Sequence, residues 1–235
     1  TALPSVQRGS IKLDLHRRDF TINTLALRLD GRHYGELLDP WGGGRDLGDR
    51  LIRVLHSISF IDDPTRMLRA VRLEQRLGFT IESRTLELMQ QAMPLLGRVS
   101  GERLRDELGL TFAESTAGAA MTRLHALGLL AAVHPALTWN HGLSTRLEEL
   151  RTFRPPVEWR LRETPEAERL LYAVWLSDLD ANQVAEVCTR MRFSLATRAA
   201  VLDAQRLVAA LPRWPAGVSP SEVVARLDET REESL

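Results

Sequence analysis

"FIDDPTRMLRAVRLEQRLGF", residues 60–79, decides how this chain is built. The acidic pair Asp62-Asp63 opens it, Pro64 suits a first helical turn and Gly78 suits a stop. These marks predict one helix running from the acidic pair to Gly78. Downstream of Asp62 no good strand signal remains, and apolar residues recur with a helical period. Upstream the pattern is different. "TLALRLDGRHYGELLD", residues 24–39, alternates Leu25, Leu27 and Leu29 with Ala26 and Arg28. Its Asp30-Gly31 pair is the turn chemistry of a β-hairpin. "DPWGGGRDLGDRLIRVL", residues 39–55, predicts a flexible loop at Gly42 to Gly44 and a short helix begun by Leu47, Leu51 and Ile52. The expected class is α+β: a small β-containing head, then a long helical array.

Helical segments are expected at 82–97, 100–115, 117–133, 143–153, 165–179, 181–193, 195–211 and 220–233. Neither Ser83 with Leu86 nor Ser100 with Arg103 makes a capping box, so periodicity carries these assignments. "TFRPPVEWRLRETP", residues 152–165, has three prolines and is the best linker candidate. An isolated hairpin buries too little to stand alone, so Leu25, Leu27 and Leu29 are expected to need further strands.

The 235 residues allow one large domain or two small ones. Formal net charge is zero, so any polyanion site must be a local patch. All but Lys12 of the 31 basic residues are arginine, a bias that genome composition explains better than selection for phosphate-binding donors does. The one cysteine, Cys188, excludes an internal disulfide and suits a reducing, cytoplasmic setting. No run is long and apolar enough for a membrane span, so no membrane partner is expected.

The residues with the clearest chemistry are Asp63, Arg66, Arg69 and Arg72, spaced by three along the expected helix. Charged stripes of this kind are often only solvated faces with ion pairs. A ligand reading is also open. A carboxylate accepts hydrogen bonds and a guanidinium only donates them. Adenine and cytosine each present an amino donor beside a ring acceptor, and guanine and uracil reverse that order. One Asp beside one Arg therefore favours A and C, and a mismatch that leaves a buried polar group unpaired costs ~1–3 kcal/mol. Arg69 and Arg72 could then reach a triphosphate. "LHRRDFTINTLA", residues 15–26, poses the same choice: Arg17-Arg18-Asp19 is a surface ion-pair cluster or a ligand contact held against an apolar anchor.

Residues 15–26, "LLDPWGGGRDLGDRLIRVL" at 37–55 and the 60–79 segment resemble, in that order, three motifs of the class II tRNA nucleotidyltransferases and bacterial poly(A) polymerases. The resemblance is sharp over residues 15–79 and becomes one of helical character alone beyond about residue 115. It implies a head remnant over 1–57, a nucleotide-selecting helical neck over 58–135 and a helical body over 136–235. It implies that Asp63 and Arg66 read the incoming base, that Asp19 holds the ribose 2′-OH, and that Arg18 contacts phosphate. Asn23 matches the last polar position of its motif, and Arg69 and Arg72 resemble triphosphate contacts. Asp39, Gly42 to Gly44 and Asp46 look structural. Two positions depart from the pattern: Asp62 replaces a glutamate and Leu73 a phenylalanine.

The implied activity is template-independent addition of AMP, with CMP as the second candidate, to tRNA 3′ ends, using ATP or CTP with Mg2+. The implied partner is RNA, the tRNA acceptor arm first. The family's Asp-x-Asp metal pair lies upstream of the Arg-Arg-Asp motif, and the 14 residues before Leu15 hold one acidic residue, Asp14. Both ends look cut, and the chain as given is expected to lack metal ligands and catalysis. The alternative is a catalytically inactive RNA- or nucleotide-binding module, and a helical scaffold without ligand is a third reading. A lone A, CCA and a poly(A) tail are equally compatible products, and oligomeric state is left open.

Weaker signals have bland readings beside them. His125, His134 and His141 are spaced too widely for a metal site. Cys188 reads as a core residue. Trp139, Trp159, Trp175 and Trp214 could stack on bases, but packing is the commoner role of such residues. "ERLRDEL", residues 102–108, reads as an ion-paired helix face.

Overall fold

A computed structural model describes residues 10–155, 166–215, 217–219, 221–223 and 225–226. Trp159, most of the proline-rich stretch and most of the 220–233 segment lie outside the described residues. The chain forms two compact units, Thr1–Leu96 and Gly97–Leu235, so the division falls within the 58–135 stretch. The class is α+β, with every described strand in the first unit.

In the first unit, α1 (Ile11–His16) leads through a 3-10 turn at Thr21–Asn23 to β1 (Ala26–Leu27), which pairs antiparallel with β2 (Leu37–Leu38). The hairpin is real, but Asp30-Gly31 is not a two-residue turn. Register pairs Ala26 with Leu38, and the connection holds a second 3-10 turn at Gly31–His33. Leu27 and Leu29 are 57% and 70% exposed, so this two-stranded hairpin does not itself cover the leucine face.

Next comes α2 (Gly43–Gly48), where the sequence suggested a flexible loop. Asp39 makes the difference. Its carboxylate accepts from the amides of Gly43 at 2.7 Å and Gly44 at 3.0 Å, satisfying donors that a helix start leaves unpaired. Arg50, at φ 56°, then turns the chain, and Leu51 and Ile52 form β3 (Leu51–Ile52) instead of helix.

The acidic segment divides as α3 (Ser59–Asp62) and α4 (Arg66–Leu77). Asp63 lies in extended backbone between them, not on the long helix. Gly78, at φ 64°, ends α4 in the left-handed conformation that glycine adopts without a Cβ penalty. A strand missed by sequence reading follows: β4 (Thr80–Ile81) pairs parallel with β3, and α5 (Ser83–Ala92) continues from it. The buried Glu74 carboxylate accepts from the Ile81 amide at 3.1 Å, tying α4 to β4. Phe20, Ile52, Phe60, Met67, Leu68, Val71 and Met89 form the core.

The second unit contains α6 (Gly101–Ala113), α7 (Ala117–Ala126), α8 (Leu129–Val133), α9 (His141–Thr152), α10 (Ala167–Leu176), α11 (Ala181–Arg190) and α12 (Leu195–Ala210). The run 117–133 is two helices separated at Leu127-Gly128. Ser100 caps α6 through the Arg103 amide without a capping box, whereas Asp180 with Gln183 makes such a box at the start of α11. Phe112, Trp139, Tyr172 and Trp175 form an aromatic cluster with centroid separations of 5.5 to 6.3 Å. The Trp139 indole donates to Ser144 Oγ at 2.8 Å and that of Trp175 to the Thr138 carbonyl at 2.9 Å. Both rings are therefore packing anchors, not platforms for bases. Trp214 is half-buried, with the Arg226 guanidinium 5.6 Å from its ring. Cys188 is buried, and burial pushes its thiol pKa up.

Several arginines of this unit serve helix ends. Arg105 donates to the carbonyls of Met191 and Arg192, Arg151 to those of Phe112 and Glu114, and Arg190 to those of Val133 and Val99. Helix C-termini leave carbonyls without partners, and a guanidinium carries enough donors to take two at once. Among the described residues no helix is long and apolar enough to cross a membrane.

Candidate functional site

The C-terminus of α1, the 3-10 turn after it, and the joint between α3 and α4 enclose a polar pocket of about 370 Å³. Arg17, Arg18, Asp19, Asn23, Asp63, Arg66 and Arg69 line it. Six of the expected site residues therefore come together, from two segments some forty residues apart in sequence. Arg17 is the addition. Arg72 is the exception: it is 9% exposed, outside the lining, and engaged in an interaction within the protein.

Asp19 is the organising carboxylate. One oxygen accepts from the Phe20 amide at 2.9 Å and Asn23 Nδ2 at 2.8 Å, and the other from Arg69 Nη1 at 3.0 Å. Burial raises its pKa, but the bonds from Asn23 and Arg69, the charge of Arg69 and the Phe20 amide outweigh that effect. The net shift is downward from the ordinary 3.8. A carboxyl whose pKa is depressed on folding stabilises the fold above its unfolded pKa, and that contribution is lost as pH falls through the folded value. Wild type should thus be more stable than Asp19→Asn at neutral pH, with the gap closing below about pH 4. Urea midpoints at stepped pH check this; a gap that persists unchanged into strong acid would contradict it.

Asp63 and Arg66 are both held by neighbouring groups. Asp63 Oδ1 accepts from the Thr65 amide at 3.1 Å and Thr65 Oγ1 at 2.7 Å. Arg66 donates from Nη1 to Ser59 Oγ at 2.7 Å and from Nη2 to the Arg17 carbonyl at 3.1 Å. Arg18 pairs with Asp14 at 3.1 Å, and Arg17 with the same residue at 3.5 Å. Behind the pocket, Asp46 accepts from Thr21 Oγ1 at 2.6 Å and Arg53 Nε at 3.0 Å, and Arg53 reaches Glu82 at 3.2 Å. This chain of polar contacts holds the 3-10 turn against the β3 segment. The structural role expected of Asp39 and Asp46 is the one they have. Among the described residues no group of three or more His, Cys, Asp or Glu is placed to hold a metal ion.

Two family assignments meet on this chain. Residues 2–53 match the poly(A) polymerase head domain, and residues 78–139 match a domain described as the probable RNA- and SrmB-binding site of polymerase A. The chain belongs to the tRNA nucleotidyltransferase and poly(A) polymerase family.

Within that family it is similar to the A-adding tRNA nucleotidyltransferase of Geobacter sulfurreducens, at 40% identity over 86% of this chain and 23% of that protein. Its fold is similar to a CCA-adding enzyme in complex with ATP, with a TM-score of 0.73, 33% identity, and coverage of 92% of this chain and 55% of that one. The Thermotoga maritima CCA-adding enzyme complexed with tRNA gives a TM-score of 0.71 and 32% identity, over 94% of this chain and 57% of that one. The chain thus spans about a quarter of the curated relative and a little over half of the solved enzymes.

Proposed function

We propose that the first unit selects the incoming nucleotide for a template-independent tRNA nucleotidyltransferase that adds AMP, and secondarily CMP, to tRNA 3′ ends. The observation that carries this reading is the convergence of Asp63 and Arg66 with Arg18, Asp19, Asn23 and Arg69 in one pocket. Its volume of about 370 Å³ is at the small end for ligand sites and suits a base with its ribose, leaving phosphates at the mouth. Asp63 accepts from the amino group of A or C, and Arg66 donates to the adjacent ring nitrogen. Both side chains are anchored beforehand, which reduces the ordering cost of binding. Asp19 accepts from the ribose 2′-OH, and Arg17, Arg18 and Arg69 face the phosphates. Arg72, being buried, supports α4 on this reading rather than touching the triphosphate. Mg2+ is expected with the triphosphate, and the second unit is expected to hold the tRNA acceptor arm by backbone and shape.

Equilibrium binding of ATP, CTP, GTP and UTP to the chain tests the selection. Wild type should prefer ATP and CTP. Asp63→Ala and Arg66→Ala should each narrow that preference by about 10- to 100-fold. Equal affinity for all four nucleotides in wild type, or variants that keep the preference, would end the proposal. Asp19→Ala should lose the preference for ATP over dATP in the same assay.

A further inference from the structure

Arg66 is useful for recognition only if its guanidinium is held in one plane. The side chain is long, and its donors point along fixed directions in that plane. Two contacts fix it. Nη2 donates to the Arg17 carbonyl at the end of α1, and Nη1 donates to Ser59 Oγ at 2.7 Å. Ser59 is 1% exposed, at the first residue of α3, seven positions before Arg66. Its own amide donates to the His56 carbonyl at 3.1 Å and its carbonyl accepts from the Asp63 amide at 3.2 Å, so the hydroxyl is set by its own short helix. His56 adds to the frame: its Nε2 lies 3.1 Å from the His16 carbonyl, beside the carbonyl that Arg66 takes.

We propose that Ser59 is a specificity-determining positioning residue, whose buried hydroxyl orients the Arg66 guanidinium toward the base edge. Ser59 touches no nucleotide. It acts through Arg66, and the inference rests on the base-reading role given to Asp63 and Arg66 above. Without Oγ, Nη1 loses its partner and the guanidinium can swivel about the remaining bond to the Arg17 carbonyl. The directional match that separates adenine from guanine is then blurred, while the charge that attracts phosphates remains.

The test is a double-mutant cycle on the ATP:GTP affinity ratio of the chain, with Ser59→Ala, Arg66→Ala and the pair. Ser59→Ala should lower the ratio about tenfold, through loss of one charge-assisted hydrogen bond. In the Arg66→Ala background it should change the ratio no further, because the group it positions is gone. An unchanged ratio in Ser59→Ala, or full additivity in the pair, overturns the inference. If Ser59→Ala does not fold, Ser59→Cys replaces it: a near-isostere with a weak acceptor should lower the ratio, and an undiminished ratio overturns the inference. A wild-type chain that shows no ATP preference instead overturns the base-reading role on which this depends.

Discussion

Gly43→Ala should destabilise the first unit by about 3 kcal/mol and abolish nucleotide binding with it. A Cβ at this position would lie 2.2 Å from the Thr21 carbonyl oxygen and 2.9 Å from its carbon, and both are backbone atoms. Thr21 has little room to retreat. Its amide donates to the Arg53 carbonyl at 2.9 Å, its hydroxyl to Asp46 at 2.6 Å, and its carbonyl accepts from Thr24 Oγ1 at 2.6 Å. Relief of the clash must break several of these bonds and displace Asp19 and Asn23, which flank Thr21 in the pocket. Gly44→Ala is the matched control. Its Cβ meets only the Asp39 carboxylate oxygen at 3.2 Å, a side-chain contact that a small shift relieves while the Gly43 and Gly44 amide bonds to Asp39 are kept. Denaturant midpoints of the two variants check the contrast; equal midpoints would show that the close approach of α2 to the 3-10 turn is not what holds the pocket.

Phe112→Ala should cost the second unit about 3–5 kcal/mol, the range for truncating a buried phenylalanine. Phe112 is 3% exposed. Its ring meets Tyr172 at 5.7 Å and Trp175 at 5.5 Å, both edge-on, and Trp139 at 6.3 Å. Edge-to-face pairs add ~0.5–1.5 kcal/mol each beyond the area they bury, so this site should lie toward the top of the range. The loss also leaves a space among rigid rings that cannot close over it. Tryptophan emission suits the measurement, because Trp139 and Trp175 border that space. A midpoint shift equivalent to less than about 1 kcal/mol would mean that the cluster is loosely packed.

The helices were legible from period, and α4 was bounded at its C-terminus by Gly78. Its N-terminus was not. Asp63 looked helical by spacing, and the backbone instead extends there between α3 and α4. The parallel pair β3 and β4 left no trace because two residues per strand are too few to show alternation, and their partners are far apart in sequence. Arg50 took Leu51 and Ile52 out of the expected helix through a backbone angle that an arginine does not announce.

The site divides in the same way. Charged residues in recognisable motifs were found, and six of them share the pocket. Arg72 was carried along by a spacing of three that continues past the pocket into the interior. Arg17 stood in the Arg17-Arg18-Asp19 cluster without a role of its own, and Ser59 gave no signal. A lone serine among apolar residues has no chemistry of its own until the fold sets a guanidinium beside it.

The carbonyl-bound arginines of the second unit carry a consequence for ionic strength. Guanidinium groups committed to helix ends at Met191, Glu114 and Val133 are poorly placed to displace counterions from a phosphodiester backbone. If tRNA binds this unit, the slope of log affinity against log salt should count fewer cations than the arginine content suggests. Neutralising Arg105, Arg151 or Arg190 should therefore lower the melting temperature and leave that slope unchanged.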